Sequence, residues 1–123
     1  MIQRDEVINL QSEWGRGIVE IGNAFNKGED YKKLTVEFIK KLYAYESEEV
    51  LFKPTLAADI QFRLTSEAAL SYFIGGDDNF IEDSGFAIKG WNSVRWQNAG
   101  IKIIENIAVC MGNYFFTIKG GED

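Results

Sequence analysis

The side chains that could carry out chemistry in this sequence are hydroxyls and carboxylates, because its 123 residues include no histidine and a single cysteine. Catalytic zinc is bound by three protein ligands, which nearly always include histidine or cysteine. The composition therefore excludes a zinc enzyme of this kind. We expect the protein to use no metal and no other cofactor.

Two hydroxyls stand out by their positions in the chain. Thr55 directly follows Pro54, the only proline, and Tyr72 lies in the segment "SEAALSYFIGG". A fixed hydroxyl can donate a hydrogen bond to an oxygen on which negative charge develops, as in an oxyanion hole. Each residue also has a structural interpretation, a threonine that stabilises a turn and a core tyrosine with a bonded hydroxyl. Residue type and spacing alone favour the structural interpretations.

The carboxylates form two short clusters, Asp77–Asp78 and Glu82–Asp83, with Asp59 upstream of both. Paired carboxylates can act as acid and base, or they can bind a hard cation. The spacing of an EF-hand calcium loop is absent. A solvated loop is therefore the favoured interpretation of both clusters.

The net charge and the cysteine content limit which binding partners and which cellular compartment we expect. The net charge is −6 and the pI is about 4.7. We expect no nucleic-acid partner, because such a field repels phosphate. The apolar run "IAVCMG" predicts that Cys110 is a buried, inert thiol. No apolar run approaches the roughly 18 residues of a membrane helix, and no signal peptide is visible, so we expect a cytoplasmic protein without membrane contact.

Apolar residues recur at steps of three and four along two N-terminal segments, which is the spacing of one helical face. The pattern predicts a first helix over residues 4–26 and a second over residues 31–45, with Asp30 as the cap of the second. A third, short helix is predicted in "TSEAALSYFIGG". Thr65 or Ser66 is expected to cap it, and the two glycines to end it.

Strand-like alternation follows these helical segments. Val50–Phe52 is predicted to be a short strand that Pro54 ends, and Ile60–Arg63 alternates between apolar and polar residues. Three further strand-like segments occupy the last third of the chain, with turns predicted at residues 98–100 and 112–113. The order of elements predicts an α+β fold, in which helices pack on one face of a curved antiparallel sheet.

The chain resembles the iota-class carbonic anhydrases in four segments, "LFKPT", "QFRLTSEAALSYFIGG", "EDSGFAIKGWNSVRW" and "GNYFFT". These are the metal-independent carbonic anhydrases of bacteria, cyanobacteria and algae, and the likeness spans most of residues 10–118. The resemblance implies that residues 1–123 form one cone-shaped, cystatin-like domain of the nuclear transport factor class, with the N-terminal helices on the concave face of the sheet. It also implies a homodimer formed through the sheet, and reversible hydration of carbon dioxide to bicarbonate.

The resemblance further implies roles for particular hydroxyls. Thr55 and Tyr72 correspond to the threonine and tyrosine that bind bicarbonate inside the cone in such enzymes. The family also supplies a serine from a histidine- and serine-rich final strand, whereas this sequence stops at "IKGGED". We therefore expect that strand to be missing, with Gly120–Gly121 forming a turn.

Proton transfer is the difficult step for such a site. An unperturbed tyrosine has a pKa of about 10 and is a poor base at neutral pH. Either the pKa of Tyr72 is lowered, or Tyr72 only orients a water that releases its proton to solvent. Arg63 could lower that pKa, or bind bicarbonate, if its side chain points inward. A surface position is the favoured interpretation of Arg63.

Two other functions stay open from the sequence. One is a non-catalytic dimerisation or small-ligand-binding module of the same fold, as the association domains of calmodulin-dependent kinases are. The other is an isomerase or cyclase of that fold, with Asp59 as a base inside the cavity and a tyrosine as donor. Trp91 and Trp96 are predicted to be core or interface anchors, and a dimer patch on an exposed sheet face would suit them.

Overall fold

The computed structural model describes residues 1–118, and the turn predicted at Gly120–Gly121 lies outside them. The described chain consists of three α-helices, a 3-10 turn and an antiparallel hairpin, so the fold is α+β as predicted. Their bounds are α1 Arg4–Asn26, α2 Tyr31–Leu42, α3 Ser66–Ile74, the 3-10 turn Phe86–Ile88, β1 Trp91–Ile104 and β2 Ile107–Ile118. Within the described chain, no helix combines the length and hydrophobicity needed to cross a membrane.

The helices follow the local signals of the sequence. The side chain of Asp30 accepts a hydrogen bond from the backbone N–H of Lys33 at 3.1 Å and caps α2. Thr65 caps α3 in the same way, through the N–H of Ala68 at 3.2 Å. Gly75 ends α3 with φ of +69°, a conformation that glycine adopts without steric cost. α2 ends three residues earlier than predicted, because Tyr43 is already extended.

The sheet differs from the predicted three-strand meander, because β1 and β2 form one long hairpin. The predicted turn at residues 98–100 is an irregularity inside β1, where the pairing shifts between Asn98 and Gly100. Gly112 lies inside β2, where an added Cβ would collide with the backbone oxygen of Gln97. Both turn predictions are wrong because glycine also marks bulges and close backbone approach. The actual turn joins Ile104 to Ile107 and contains Glu105 with φ of 53°.

The segment before α3 contains no strand, so the strands predicted at Val50–Phe52 and Ile60–Arg63 are wrong. A single backbone hydrogen bond joins these two segments, from the N–H of Arg63 to the oxygen of Phe52 at 2.8 Å. The N–H groups of Ala58, Asp59 and Ile60 donate to the carboxylate of Glu82 instead of to a neighbouring strand. Residues 52–63 are therefore a loop, called the 52–63 loop below.

The helices cover one face of the hairpin. Trp14 of α1 contacts the rings of Trp96, Tyr114 and Phe116. Trp91 and Trp96 are half-buried, and Trp91 also packs on Phe116 of this covered face. The prediction that these tryptophans are core anchors is therefore confirmed, and the alternative of a dimer patch on an exposed face is wrong.

The opposite face of the hairpin is open to solvent. Large apolar side chains of both strands are exposed there, namely Ile104, Ile107, Val109 and Met111. Cys110 lies on the other side of β2, which also carries Tyr114, and it is exposed as well, which contradicts the buried thiol predicted from its apolar neighbours. The apolar run around Cys110 therefore marks a strand rather than a buried segment of the core.

Candidate functional site

Tyr72 is held by α3 in the aromatic core. Only 6% of its surface is exposed, and its ring stacks on Phe86 at 5.6 Å and meets Phe52 edge-on at 6.2 Å. Its hydroxyl oxygen accepts a hydrogen bond from the backbone N–H of Leu56 at 3.2 Å. Since the hydroxyl acts as acceptor in that contact, its own hydrogen remains available to donate.

Thr55 reaches the same region from the 52–63 loop. Its side chain is exposed, and its Oγ1 lies 2.8 Å from the hydroxyl of Tyr114 on β2. Either oxygen can donate in this contact, so one of the two hydroxyls keeps a hydrogen for another acceptor. Thr55 is the residue before Leu56, whose N–H bonds to Tyr72. One dipeptide therefore connects the hydroxyls of Thr55, Tyr72 and Tyr114.

Tyr114 is a residue of this cluster that the sequence reasoning missed. It lies on the same, helix-facing side of β2 as Phe116, and its hydroxyl is its only polar side-chain atom. The motif "GNYFFT" contained this tyrosine, but its partner Thr55 lies 59 positions away in the chain. Strand alternation gives the face on which Tyr114 lies, and it gives no information about the loop that covers that face.

Burial raises the pKa values of Tyr72 and of two neighbouring tyrosines, Tyr43 and Tyr45. Loss of hydration raises the pKa of Tyr72 to about 12, although the hydrogen bond from Leu56 opposes the shift. Burial likewise raises the pKa of Tyr45 to about 12, and it raises that of Tyr43, which accepts a hydrogen bond from Trp14 at 3.0 Å. The suggestion of a lowered pKa for Tyr72 is therefore wrong. Tyr72 is a neutral donor at physiological pH.

Arg63 is fully buried, so the surface position favoured from the sequence is wrong. Its guanidinium forms a bidentate pair with Asp83 at 2.7 and 2.8 Å, and it also donates to the backbone oxygens of Ile60 and Ala68, both at 2.9 Å. The same group lies 4.5 Å from the ring centroid of Phe80. Protein acceptors occupy most of its five N–H groups, which leaves little capacity to bind an anion.

The carboxylates near the cluster are used in the fold. Glu82 accepts backbone N–H groups of the 52–63 loop, and Asp83 binds both Arg63 and the hydroxyl of Ser71. The solvated-loop interpretation of Glu82–Asp83 is therefore wrong.

Asp59 is exposed, which removes the isomerase alternative that needed it as a base inside a cavity. Among the described residues, no group of three or more acidic or cysteine side chains could hold a metal ion.

Two small cavities adjoin the hydroxyl cluster. A cavity of about 30 Å³ beside Tyr72 is lined by Leu56, Tyr72, Glu82, Asp83, Ser84, Phe86 and Lys89. A second, of about 190 Å³ beside Tyr114, is lined by Gln11, Trp96, Asn98, Cys110, Gly112, Asn113 and Tyr114. The indole N–H of Trp96 is buried without a hydrogen-bond partner in the described chain. A buried donor of this kind commonly marks the place of a water or a ligand.

Comparisons with known proteins identify the family. Residues 5–123 match the model of a family described as metal-independent carbonic anhydrase. The metal-independent carbonic anhydrase of Nostoc sp. (strain PCC 7120) is 42% identical over 124 residues, which cover 98% of this chain and 60% of that relative. This chain therefore spans about three fifths of the length of the curated relative that it matches.

A solved structure agrees with this assignment and with the fold. It is described as an iota-carbonic anhydrase from a cyanobacterium in complex with bicarbonate. The two structures superpose with a TM-score of 0.94 at 40% identity, over 98% of this chain and 76% of the other. The resemblance inferred from four sequence segments is confirmed, and the chain belongs to the metal-independent carbonic anhydrase family.

Proposed function

We propose that this protein catalyses the reversible hydration of carbon dioxide to bicarbonate without a metal ion. The observation that carries the proposal is the cluster of hydroxyls on Thr55, Tyr72 and Tyr114, which adjoin one another around the Thr55–Leu56 backbone. Membership of the family supports the reaction class. The bicarbonate in the related cyanobacterial structure supports a small carbon–oxygen anion as ligand.

The hydroxyls can stabilise the charge that the reaction creates. The oxygen of a water forms a bond to the carbon of carbon dioxide, one C–O π electron pair moves onto oxygen, and the water releases a proton. Tyr72 offers one hydroxyl hydrogen to these oxygens, and the Thr55–Tyr114 pair offers a second. In known oxyanion holes, loss of one such donor costs about 3–4 kcal/mol of transition-state stabilisation.

The surroundings suit an apolar substrate and an external proton acceptor. The rings of Phe86, Phe116 and Trp96 surround the two tyrosines and give carbon dioxide an apolar approach. Because the pKa of Tyr72 is raised, we assign the tyrosine to donation and orientation, and the proton passes to solvent. Thr55 is exposed, as is 37% of the surface of Tyr114, so solvent water can reach the hydroxyl cluster and accept the proton.

Further parts of the proposal concern Arg63 and the assembly. We assign Arg63 an indirect role, because its N–H groups already donate to acceptors of the protein itself.

The exposed apolar face of the hairpin supports a homodimer that forms through the sheet of a cystatin-like cone. A cytoplasmic location is proposed from the absence of any disulfide partner for Cys110. Light scattering tests the dimer, and a monomer at all concentrations would contradict it.

The proposed activity is tested by oxygen-isotope exchange between carbon dioxide and water, with protein that has been treated with a chelator. We expect the wild type to be active, and Tyr72→Phe to lower kcat about 100- to 1000-fold. Tyr31→Phe is the matched control, because it removes the hydroxyl of a ring that packs on Phe25 away from the cluster. An inactive, folded wild type, or activity that returns only with added zinc, would contradict the proposal. The first result would favour a non-catalytic binding module.

A further inference from the structure

The 52–63 loop carries Thr55 and has little secondary structure of its own. Its ends meet through the hydrogen bond from Arg63 N–H to Phe52 oxygen, and the N–H of Ala57 donates to the oxygen of Pro54 at 3.3 Å. The N–H groups of the next three residues do not bond to backbone oxygens. Besides the contacts of Thr55 with Tyr114 and of Leu56 with Tyr72, the loop backbone therefore depends on a side-chain acceptor for these N–H groups.

The carboxylate of Glu82 supplies that acceptor. One of its oxygens accepts the N–H of Ala58 at 2.7 Å, and the other accepts those of Asp59 at 3.0 Å and Ile60 at 2.7 Å. Hydrogen bonds to an ionised group are shorter and stronger than neutral ones. These bonds, first of all that from Ala58, lower the pKa of Glu82, so the group is ionised at neutral pH. One side chain therefore holds three consecutive residues of the loop.

Arg63 ties the same loop to the helix that bears Tyr72. Its Nε donates to the oxygen of Ile60 at 2.9 Å, while its two terminal nitrogens bind Asp83. Asp83 also accepts the hydroxyl of Ser71 at 2.6 Å, and Ser71 precedes Tyr72 on α3. The link therefore runs from the loop through two buried charged groups to the residue beside Tyr72.

We propose that Glu82, acting with the Arg63–Asp83 pair, is a positioning residue that holds Thr55 against Tyr114 and Leu56 against Tyr72 for the reaction. The inference rests on the proposed function, and it assigns Glu82 no contact with the substrate. A displacement of about 1 Å in a catalytic group can lower a rate about 100-fold, even when the mutated residue is remote from the chemistry. Neutralisation of Glu82 is therefore expected to act through the hydroxyl of Thr55.

A double-mutant cycle tests this dependence. We expect Glu82→Gln to lower kcat/KM about 10- to 100-fold in the wild-type background, and to have little further effect when Thr55 is already valine. Glu49→Gln is the matched control, because Glu49 is exposed and lies outside this network. Equal effects of Glu82→Gln in the two backgrounds would overturn the proposal, since they would show that Glu82 acts independently of Thr55.

A readout that needs no activity separates this inference from the proposed function. We expect Glu82→Gln to speed amide hydrogen exchange of Leu56, whose N–H bonds to Tyr72, about 10-fold or more, with no change in α1. Unchanged exchange at Leu56 would overturn the positioning role even if the wild type is active. If the wild type is inactive, the proposed function fails and this exchange alone decides the role of Glu82. Should Glu82→Gln not fold, Ser71→Ala, which removes only the hydroxyl bound to Asp83, takes its place with the same expected results.

Discussion

Tyr72 and Thr55 reach the candidate site from two regions that are built in different ways. Tyr72 stands on a capped helix inside an aromatic core, where packing fixes its ring. Thr55 stands on an exposed loop, where a buried ionic network fixes the backbone. The candidate site therefore depends on two kinds of interaction, and each kind responds to a different perturbation.

The largest expected effect comes from breaking the ionic network of the loop. Arg63→Met leaves Asp83, which is only 2% exposed, without its cationic partner. Removal of one member of a buried ion pair costs about 3–5 kcal/mol, because the other charge stays buried and unpaired. We expect a loss of this size in the free energy of unfolding, measured by urea denaturation.

The control for this prediction is an ion pair on the surface of the helical region. Lys41 and Glu13 form such a pair with both side chains partly exposed, so Lys41→Met should cost about 0–1 kcal/mol. Equal, small losses for the two variants would contradict the view that the loop depends on its buried charges.

A smaller effect is expected from the tyrosines of the core when pH rises. The folded pKa of Tyr72, about 12, lies above the ordinary value of 10.0, so the folded state holds this proton more tightly than the unfolded state. Its contribution to stability is complete below about pH 10 and is lost as pH rises through the folded pKa. We therefore expect the free energy of unfolding to fall between about pH 10 and pH 12.

The variant Tyr72→Phe sharpens this prediction, because it removes one of the titrating groups. Urea unfolding at a series of alkaline pH values should give a shallower decline for Tyr72→Phe than for the wild type. Tyr31→Phe, which leaves the core tyrosines in place, should follow the wild type. Identical declines for Tyr72→Phe and the wild type would show that burial does not hold the proton on Tyr72.

The same two regions differ in how far the sequence predicted them. The helices and the caps Asp30 and Thr65 were predictable, because cap and periodicity are local signals. Family motifs gave Thr55 and Tyr72 as site residues, and these assignments stay predictions until activity is measured. The hairpin turn was misplaced, since Gly100 and Gly112 suit a bulge and a close approach as well as a turn.

The loop was predicted least well, and the reason is physical. Arg63 is buried because its acceptors come from Ile60, Ala68 and Asp83, which only the folded loop brings together. The contact between Thr55 and Tyr114 likewise joins a loop to a distant strand. Neither relation leaves a periodic signal along the chain, so residue type and spacing could not predict it.

The central claim is that the paired hydroxyls of the loop and the strand act together in metal-free hydration of carbon dioxide. The most direct test compares the kcat/KM of Thr55→Val, Tyr114→Phe and the double variant in chelator-treated protein. Each single variant should lose about 100-fold, and the double variant should lose little more, because either change breaks the same pair. Rates equal to that of the wild type in both single variants would contradict the account.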